Sequence, residues 1–489
     1  MSLAGEARKL GANSAVYLIP TLLSRGFTLL VTPIYVRVMT TEDYGTVGLA
    51  TTVGSLWSML LGLSLVSSFT RLHFECKDKE ELRQFNGTIL GFLVVFASAA
   101  TLLAEIGGRV GVLSFFATLP FEPHLRIVLW AALLNVFVPL PIQIYLTREQ
   151  PFRVAVLNVV ATVVQLACAM VFVVWLRQGA LGMIRAGLYS AGALGVLSIA
   201  LVARESSVRF SGALLKKALA YSLPLVPHVV ANWVLSISDR IILERNVPRS
   251  ELGTYTLAYM FALVVTILTS AISNAFSPMV NRQLKDPETA GNVPRLGTYA
   301  LAGMVAVSLA TAALAREAIL IATPPAYHDA TRFVPWVVLG SALQGLYFVW
   351  SVGTWYSMNT KGIPIITAIG GGANIALNLF LVPRYGVAAA AVNTAVAYAI
   401  LAGLHGWLAH RLHPIAWEYR RWAVLFAAAI ATYGACAFAE RLPLVAAIGV
   451  KILLLAVGFP ALLVALRFFT GGELGRLRAV VRARLGRTG

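Results

Sequence analysis

Apolar stretches long enough to cross a bilayer recur along the whole chain, and they leave it few folds to choose from. A helix needs about 20 apolar residues to span the hydrocarbon. Runs of that size fall at 12–38, 45–70, 85–107, 125–147, 153–176, 181–203, 218–244, 252–280, 295–322, 332–358, 362–383, 386–410, 421–440 and 442–468. They predict an all-α polytopic membrane protein with about fourteen spans. Arg316-Glu317 interrupts the ninth run, and the last two are separated only by a short turn at Arg441.

Composition agrees with this reading. The 489 residues are 58% hydrophobic and 12% charged, against roughly 45–50% apolar and about 25% charged in soluble domains. The net charge of +18 raises nucleic acid as a partner, but the basic residues sit in short loops between apolar runs. That is a topology signal, and no nucleic acid partner is expected. Cys76, Cys168 and Cys436 lie far apart, without metal or redox spacing, so neither a disulfide nor a metal site is expected. The first run is too long for a signal-peptide core and is followed by no cleavage motif, so it reads as a retained helix.

Sidedness follows from the loops. Alternate segments collect Arg71, Lys77, Lys79 and Arg83; Arg204, Arg209, Lys216 and Lys217; and Arg476, Arg478, Arg482, Arg484 and Arg487. Positive-inside bias places these in the cytoplasm together with both termini, as in a multi-pass protein.

A repeat is also legible. Asp43-Tyr44-Gly45-Thr46-Val47-Gly48-Leu49-Ala50 aligns with Glu251-Leu252-Gly253-Thr254-Tyr255-Thr256-Leu257-Ala258, and Thr147–Pro151 aligns with Thr360–Pro364. Both matches join a span to the one six further on, so two halves of equal orientation are expected to rock about a shared site. The predicted division is an N-terminal six-helix bundle at 1–210, a C-terminal six-helix bundle at 211–412, two appended helices at 413–469, and a basic cytoplasmic tail at 470–489.

Several short motifs then fall in a characteristic order. They are Leu23-Ser24-Arg25-Gly26, Thr41-Glu42-Asp43-Tyr44-Gly45, Ser238-Asp239-Arg240-Ile241-Ile242, Leu252-Gly253-Thr254-Tyr255, Tyr327-His328-Asp329-Ala330, Asn374–Asn378 and Val382-Pro383-Arg384-Tyr385-Gly386. In these the chain resembles the polysaccharide-biosynthesis flippases of the multidrug/oligosaccharidyl-lipid/polysaccharide exporter superfamily. The resemblance implies two six-helix bundles. It also implies movement of an undecaprenyl-diphosphate-linked oligosaccharide from the cytoplasmic to the periplasmic leaflet by alternating access. The expected partners are the lipid-linked glycan, membrane lipids, and the polymerase and glycosyltransferases of the same pathway.

Polar residues at helical spacing mark the expected site. Tyr17, Arg25 and Thr28 share one face of the first run with Asn13, Thr21, Thr32 and Tyr35; His228, Asn232, Ser236 and Asp239 stripe the seventh; Tyr255, Tyr259, Thr266, Ser270 and Asn274 stripe the eighth. An intramembrane charge is costly and points to a cavity. Arg25 is therefore expected to meet the diphosphate, for which a guanidinium offers a bidentate fork. Arg240 is a further candidate, although Glu244 is placed to pair with it along one helix face. Arg185 either contacts substrate or snorkels to the interface. Tyr17, Thr28, His228, Asn232, Tyr259 and Asn274 would hydrogen-bond or stack on sugars. Asp239, the one acid placed well within a span, is the expected proton or sodium coupling site, and no bound cofactor is expected. Asn374 and Asn378 read as helix bridges, and Lys451 as the edge of a lipid groove.

The competing readings are a peptidoglycan-precursor flippase or a cation-coupled multidrug exporter of the same superfamily. A further alternative is a membrane-bound glycosyltransferase or polymerase. The short loops and the lack of an Asp-x-Asp motif disfavour an enzyme.

Overall fold

The computed structural model describes residues 31–473 apart from 74, 111–118, 285–286, 358 and 360–361. Among the described residues every regular element is helical. In chain order the first half contains α1 (Thr41–Gly62), α2 (Leu65–Leu72), α3 (Lys79–Arg109), α4 (Arg126–Asn135), α5 (Pro139–Thr147), α6 (Pro151–Ala169) and α7 (Gly179–Arg204). There follow α8 (Gly212–Ser222), α9 (Val226–Ile237), α10 (Asp239–Glu244), α11 (Arg249–Leu284), α12 (Pro287–Ala290) and α13 (Val293–Ala322). The chain ends with α14 (Val334–Tyr356), α15 (Ile363–Leu412), α16 (Tyr419–Ala439), α17 (Leu444–Leu453) and α18 (Phe459–Ala465).

Among the described residues eleven helical stretches are long and apolar enough to cross a membrane. One of them, α15, covers two of the predicted spans, joined at a kink where Gly386 takes φ +58° three residues after Pro383. The second predicted span corresponds to α1 and α2, broken at Leu63 and Ser64, and most of the first lies outside the described residues. The chain is a multi-pass helical membrane protein. The ninth span is not interrupted at Arg316-Glu317: α13 runs unbroken through both, because Glu317 finds a cation inside the protein.

Local chemistry sets the helix ends. Thr40 caps α1 by accepting from the Asp43 amide (3.1 Å), while the Asp43 carboxylate accepts from the Thr40 amide (3.0 Å). The same carboxylate accepts from the Ala180 amide at the start of α7 (3.0 Å). The Tyr327 hydroxyl is within hydrogen-bond distance of the carbonyls of Met39 and Thr40, and its ring meets Tyr44 edge-on. Two motifs far apart in sequence therefore form one helix-end knot. Prolines open α5 and α6, where a missing amide costs nothing. Leu223-Pro224-Leu225 separates α8 from α9 by a tight turn.

Contacts divide the chain into two compact units. The first comprises Met1–Met260, Ala322–Phe333 and Ile363–Ala397; the second comprises Phe261–Ile321, Val334–Gly362 and Tyr398–Gly489. The first unit's core includes Phe85, Ile89, Leu93, Phe137 and Leu140. The second unit's core includes Val280, Met304, Val349, Trp422 and Leu425. Within the first unit the glycines aligned by the repeat face each other. A methyl on Gly45 would overlap the Arg249 carbonyl, and one on Gly253 would overlap the Thr41 carbonyl. Only glycine permits α1 and α11 to approach backbone to backbone there.

Candidate functional site

The first unit brings together a set of polar residues from three stretches of sequence. Asp239 opens α10 and is 2% exposed, and Arg240 beside it is also buried. One turn and a loop later, α11 presents Tyr255 and Tyr259 on one face, and α15 contributes Thr394. The Tyr255 hydroxyl donates to the Asp239 carboxylate, and the Tyr259 hydroxyl lies 3.1 Å from the same oxygen. Tyr259 is also 3.4 Å from the Thr394 hydroxyl, which itself donates to the Ala390 carbonyl. A single phenolic proton serves one acceptor at a time, and the charged one is the stronger.

Arg240 completes the arrangement. Its guanidinium carbon lies 4.3 Å from the Tyr259 ring centre and 5.8 Å from that of Tyr255, with Nη1 3.5 Å from Asp239 Oδ1. Stacking and pairing together offset the cost of burying this charge. Among the described residues, Asp239 and the two tyrosine rings hold it. Asp239 is not solvated at a span end, since the α9–α10 break places it inside the unit.

A second feature lies in the same unit. A cavity of about 300 Å³ is enclosed by α1, α4 and α7, with Thr51, Ser55, Ser58 and Asn135 as its hydrogen-bonding residues among mostly apolar and small neighbours. The volume is at the lower end of the roughly 300–1,000 Å³ of small-molecule sites. Trp233 on α9 donates to Ser55 (2.9 Å), so the indole is tied to the cavity wall. No carboxylate lines this cavity among the described residues. The pattern was legible: Thr51, Ser55 and Ser58 keep helical spacing, as the stripes in the neighbouring spans do. Asn135 carries no comparable signal.

The remaining expected residues are placed as follows. Arg25, Tyr17 and Thr28 lie outside the described residues. Asn232 is exposed on α9 and bonds within its own helix, to the half-buried ring of His228 and to the His228 carbonyl (both 3.1 Å). Arg185 on α7 donates to Gln178 (2.8 Å) and takes no part in the Asp239 set. Asn274 is exposed on the α11 segment belonging to the second unit. Asn378 donates to Asn374 (3.0 Å) and accepts from Asn393 (3.1 Å), bridging the two limbs of α15 as the sequence suggested.

Asp239 is not the only acid held deep within the helices. Glu105, Glu244 and Glu317 are also buried. Asp239 faces Arg240, Glu105 faces Arg109 and Arg126, and Glu317 faces Lys451 and Arg316. Lys451 is 0% exposed and sealed among acceptors, so it is not the edge of an open lipid groove. Sequence alone conceals this because Lys451 and Glu317 are more than a hundred residues apart.

With this geometry in view, comparison with known proteins decides the family. A model of the family "Polysaccharide biosynthesis protein" matches residues 10–283, more than half of the chain. The chain belongs to this family. No curated protein matches it by sequence. Among solved structures it is similar to a lipid II flippase MurJ in an inward closed conformation, with a TM-score of 0.74 and 14% identity over 91% of this chain and 98% of that one. It is also similar to a point mutant of the Vibrio cholerae MATE transporter VcmN (TM-score 0.59, 14% identity, 83% and 97% covered). A third similar structure is an inward-facing multidrug resistance MATE transporter of the MOP superfamily (0.60, 15%, 81% and 97%). The family member thus has the fold of the flippases and exporters of that superfamily.

Proposed function

We propose that this protein flips an undecaprenyl-diphosphate-linked oligosaccharide from the cytoplasmic to the periplasmic leaflet of the bacterial inner membrane by alternating access, with both termini cytoplasmic. The observation that carries the reading is the electrostatic character of the first unit. Among the described residues its cavity offers hydroxyl and amide groups with no carboxylate, and Asp239 is paired with Arg240 and bonded by Tyr255 and Tyr259. A carrier of organic cations needs an acid lining its cargo cavity, whereas a glycan needs neutral hydrogen-bonding partners. Family membership points the same way. On this reading Arg25 receives the diphosphate, and the prenyl tail stays in lipid.

Coupling enters through Asp239. A proton or sodium ion arriving at the carboxylate competes with Arg240 for it and frees the guanidinium, so gradient and conformation are linked with no bound cofactor. The polymerase and glycosyltransferases of the pathway act before and after this step. The test is flipping of a fluorescent prenyl-diphosphate glycan in vesicles, with and without proton and sodium gradients. Translocation that depends on a gradient, and loses this dependence in Asp239→Asn, is expected. Wild-type vesicles that extrude cationic dyes but leave every prenyl-diphosphate glycan in its original leaflet sink the reading.

A further inference from the structure

A second cleft in the first unit is built from charges that neither the cavity nor the Asp239 set uses. Glu105 on α3 is 7% exposed, and its carboxylate accepts from Trp130 Nε1 (2.9 Å) and Arg109 Nη2 (2.9 Å) and pairs with Arg126 Nε (2.8 Å). One buried anion thereby fixes an indole and two guanidinium groups. Arg126 Nη1 reaches Glu122 one helical turn before it (3.3 Å). Beside this network lies a cleft of about 370 Å³ lined by Glu122, Pro123, Arg126, Ile127, Trp130 and Leu188. Its two charged side chains stay open, Arg126 at 43% and Glu122 at 62% exposure.

The cleft looks away from the hydroxyl-lined cavity. On α4 the cavity uses Val128, Ala131, Ala132 and Asn135, whereas the cleft uses Arg126, Ile127 and Trp130. On α7 the cavity uses Met183, Ile184 and Gly187; the cleft uses Leu188, and the neighbouring Tyr189 is exposed. Flanking Glu105 on α3, Leu102, Leu103 and Ile106 are exposed apolar side chains. In a bilayer such a surface meets acyl chains, and a tryptophan with a polar anchor suits headgroup depth. The cleft lies at the end of α3 remote from Lys79.

One guanidinium, Arg126, and one carboxylate, Glu122, line the cleft and sum to no net charge. The cleft therefore has no overall preference for an anion or a cation. It matches a ligand that is itself neutral overall but carries separated charges. We propose that this cleft binds the phosphoethanolamine headgroup of a zwitterionic glycerophospholipid, with its phosphate on the Arg126 guanidinium and its ammonium on Glu122. The ammonium matters because a primary amine donates hydrogen bonds to a carboxylate and a quaternary one does not. The acyl chains lie along the exposed face of α3.

Native mass spectrometry of the full chain, offered equal amounts of phosphatidylethanolamine, phosphatidylcholine and phosphatidylglycerol, tests this directly. Phosphatidylethanolamine should be retained preferentially, and Glu122→Gln should lower that retention about tenfold, as expected from one lost charge-assisted hydrogen bond. Glu122 is exposed, so the variant should fold, and an unchanged melting temperature verifies it. Equal retention of the ethanolamine and choline lipids, preference for the glycerol lipid, or an unaffected Glu122→Gln each overturns the proposal. None of these outcomes depends on which cargo the protein moves.

Discussion

Each unit carries buried charge, and the two sets differ in how completely they are satisfied. In the second unit the Lys451 ammonium has Ala313 O (2.8 Å), both Glu317 oxygens (2.8 and 2.9 Å) and Glu440 (3.2 Å) around three protons. Arg316 adds contacts to Glu317 and Glu440. Nothing is left to offer a ligand. In the first unit Arg240 Nη1 is buried without a hydrogen-bond partner among the described residues, and Asp239 is served by phenols whose protons can rotate to another acceptor. Saturation makes a strut, and under-saturation leaves a charge that can be exchanged.

That contrast can be broken by mutation. Lys451→Met should have the largest effect, about 3–5 kcal/mol of lost stability, because the buried Glu317 carboxylate loses its ammonium in a low-dielectric interior. Thermal unfolding in detergent measures it, and transport per folded molecule should be unchanged. A variant that melts like wild type would mean that Lys451 is not a strut. Next comes Asn378→Ala, at about 1–3 kcal/mol, since both Asn374 and Asn393 lose a buried partner. It separates saturation from location: this loss falls in the first unit, so a null result would make the second unit special rather than its chemistry.

Asp239→Asn should cost only about 1 kcal/mol, as an amide oxygen still accepts from both tyrosines while Arg240, losing its carboxylate, keeps the two rings. The rate of flipping should fall about tenfold, an activation cost of roughly 1.4 kcal/mol. Large destabilisation with proportionate loss of rate would turn this set into a second strut. The smallest effect is expected at an exposed pair. Glu75 accepts a hydrogen bond from Lys217 and pairs with Arg71, which holds its carboxyl below the usual carboxylate range. A lowered folded pKa stabilises above the unfolded value of about 4.3 and stops doing so as pH falls through the folded one. The small difference between wild type and Glu75→Gln in melting curves should therefore be present at neutral pH and fade as pH falls below the unfolded carboxylate value.

Much of the fold was readable because hydropathy is local. Each run of α3, α6, α7 or α13 declares itself within its own residues. The repeat was readable for a similar reason, since Gly45 and Gly253 sit in matching strings, although their mutual contact was not. Three of the five residues of the Asp239 set were also visible, as Asp239, Tyr255 and Tyr259 fall on periodic polar stripes. Thr394 was not, and the sequence placed only Glu244 beside Arg240. A stripe reveals that a face is polar but not which face it meets.

Sequence by itself determined that the chain crosses a membrane many times as helices, where the basic loops fall, and which family it joins. These depend on transfer free energies and short motifs that each segment carries alone. Only tertiary structure decided which charges are spent. Lys451 with Glu317, Glu105 with Trp130, and Asp239 with Tyr259 are pairings across helices, made within about 3 Å. Coulomb and hydrogen-bond energies fall away over such distances, so only helix packing determines which buried charge stays available.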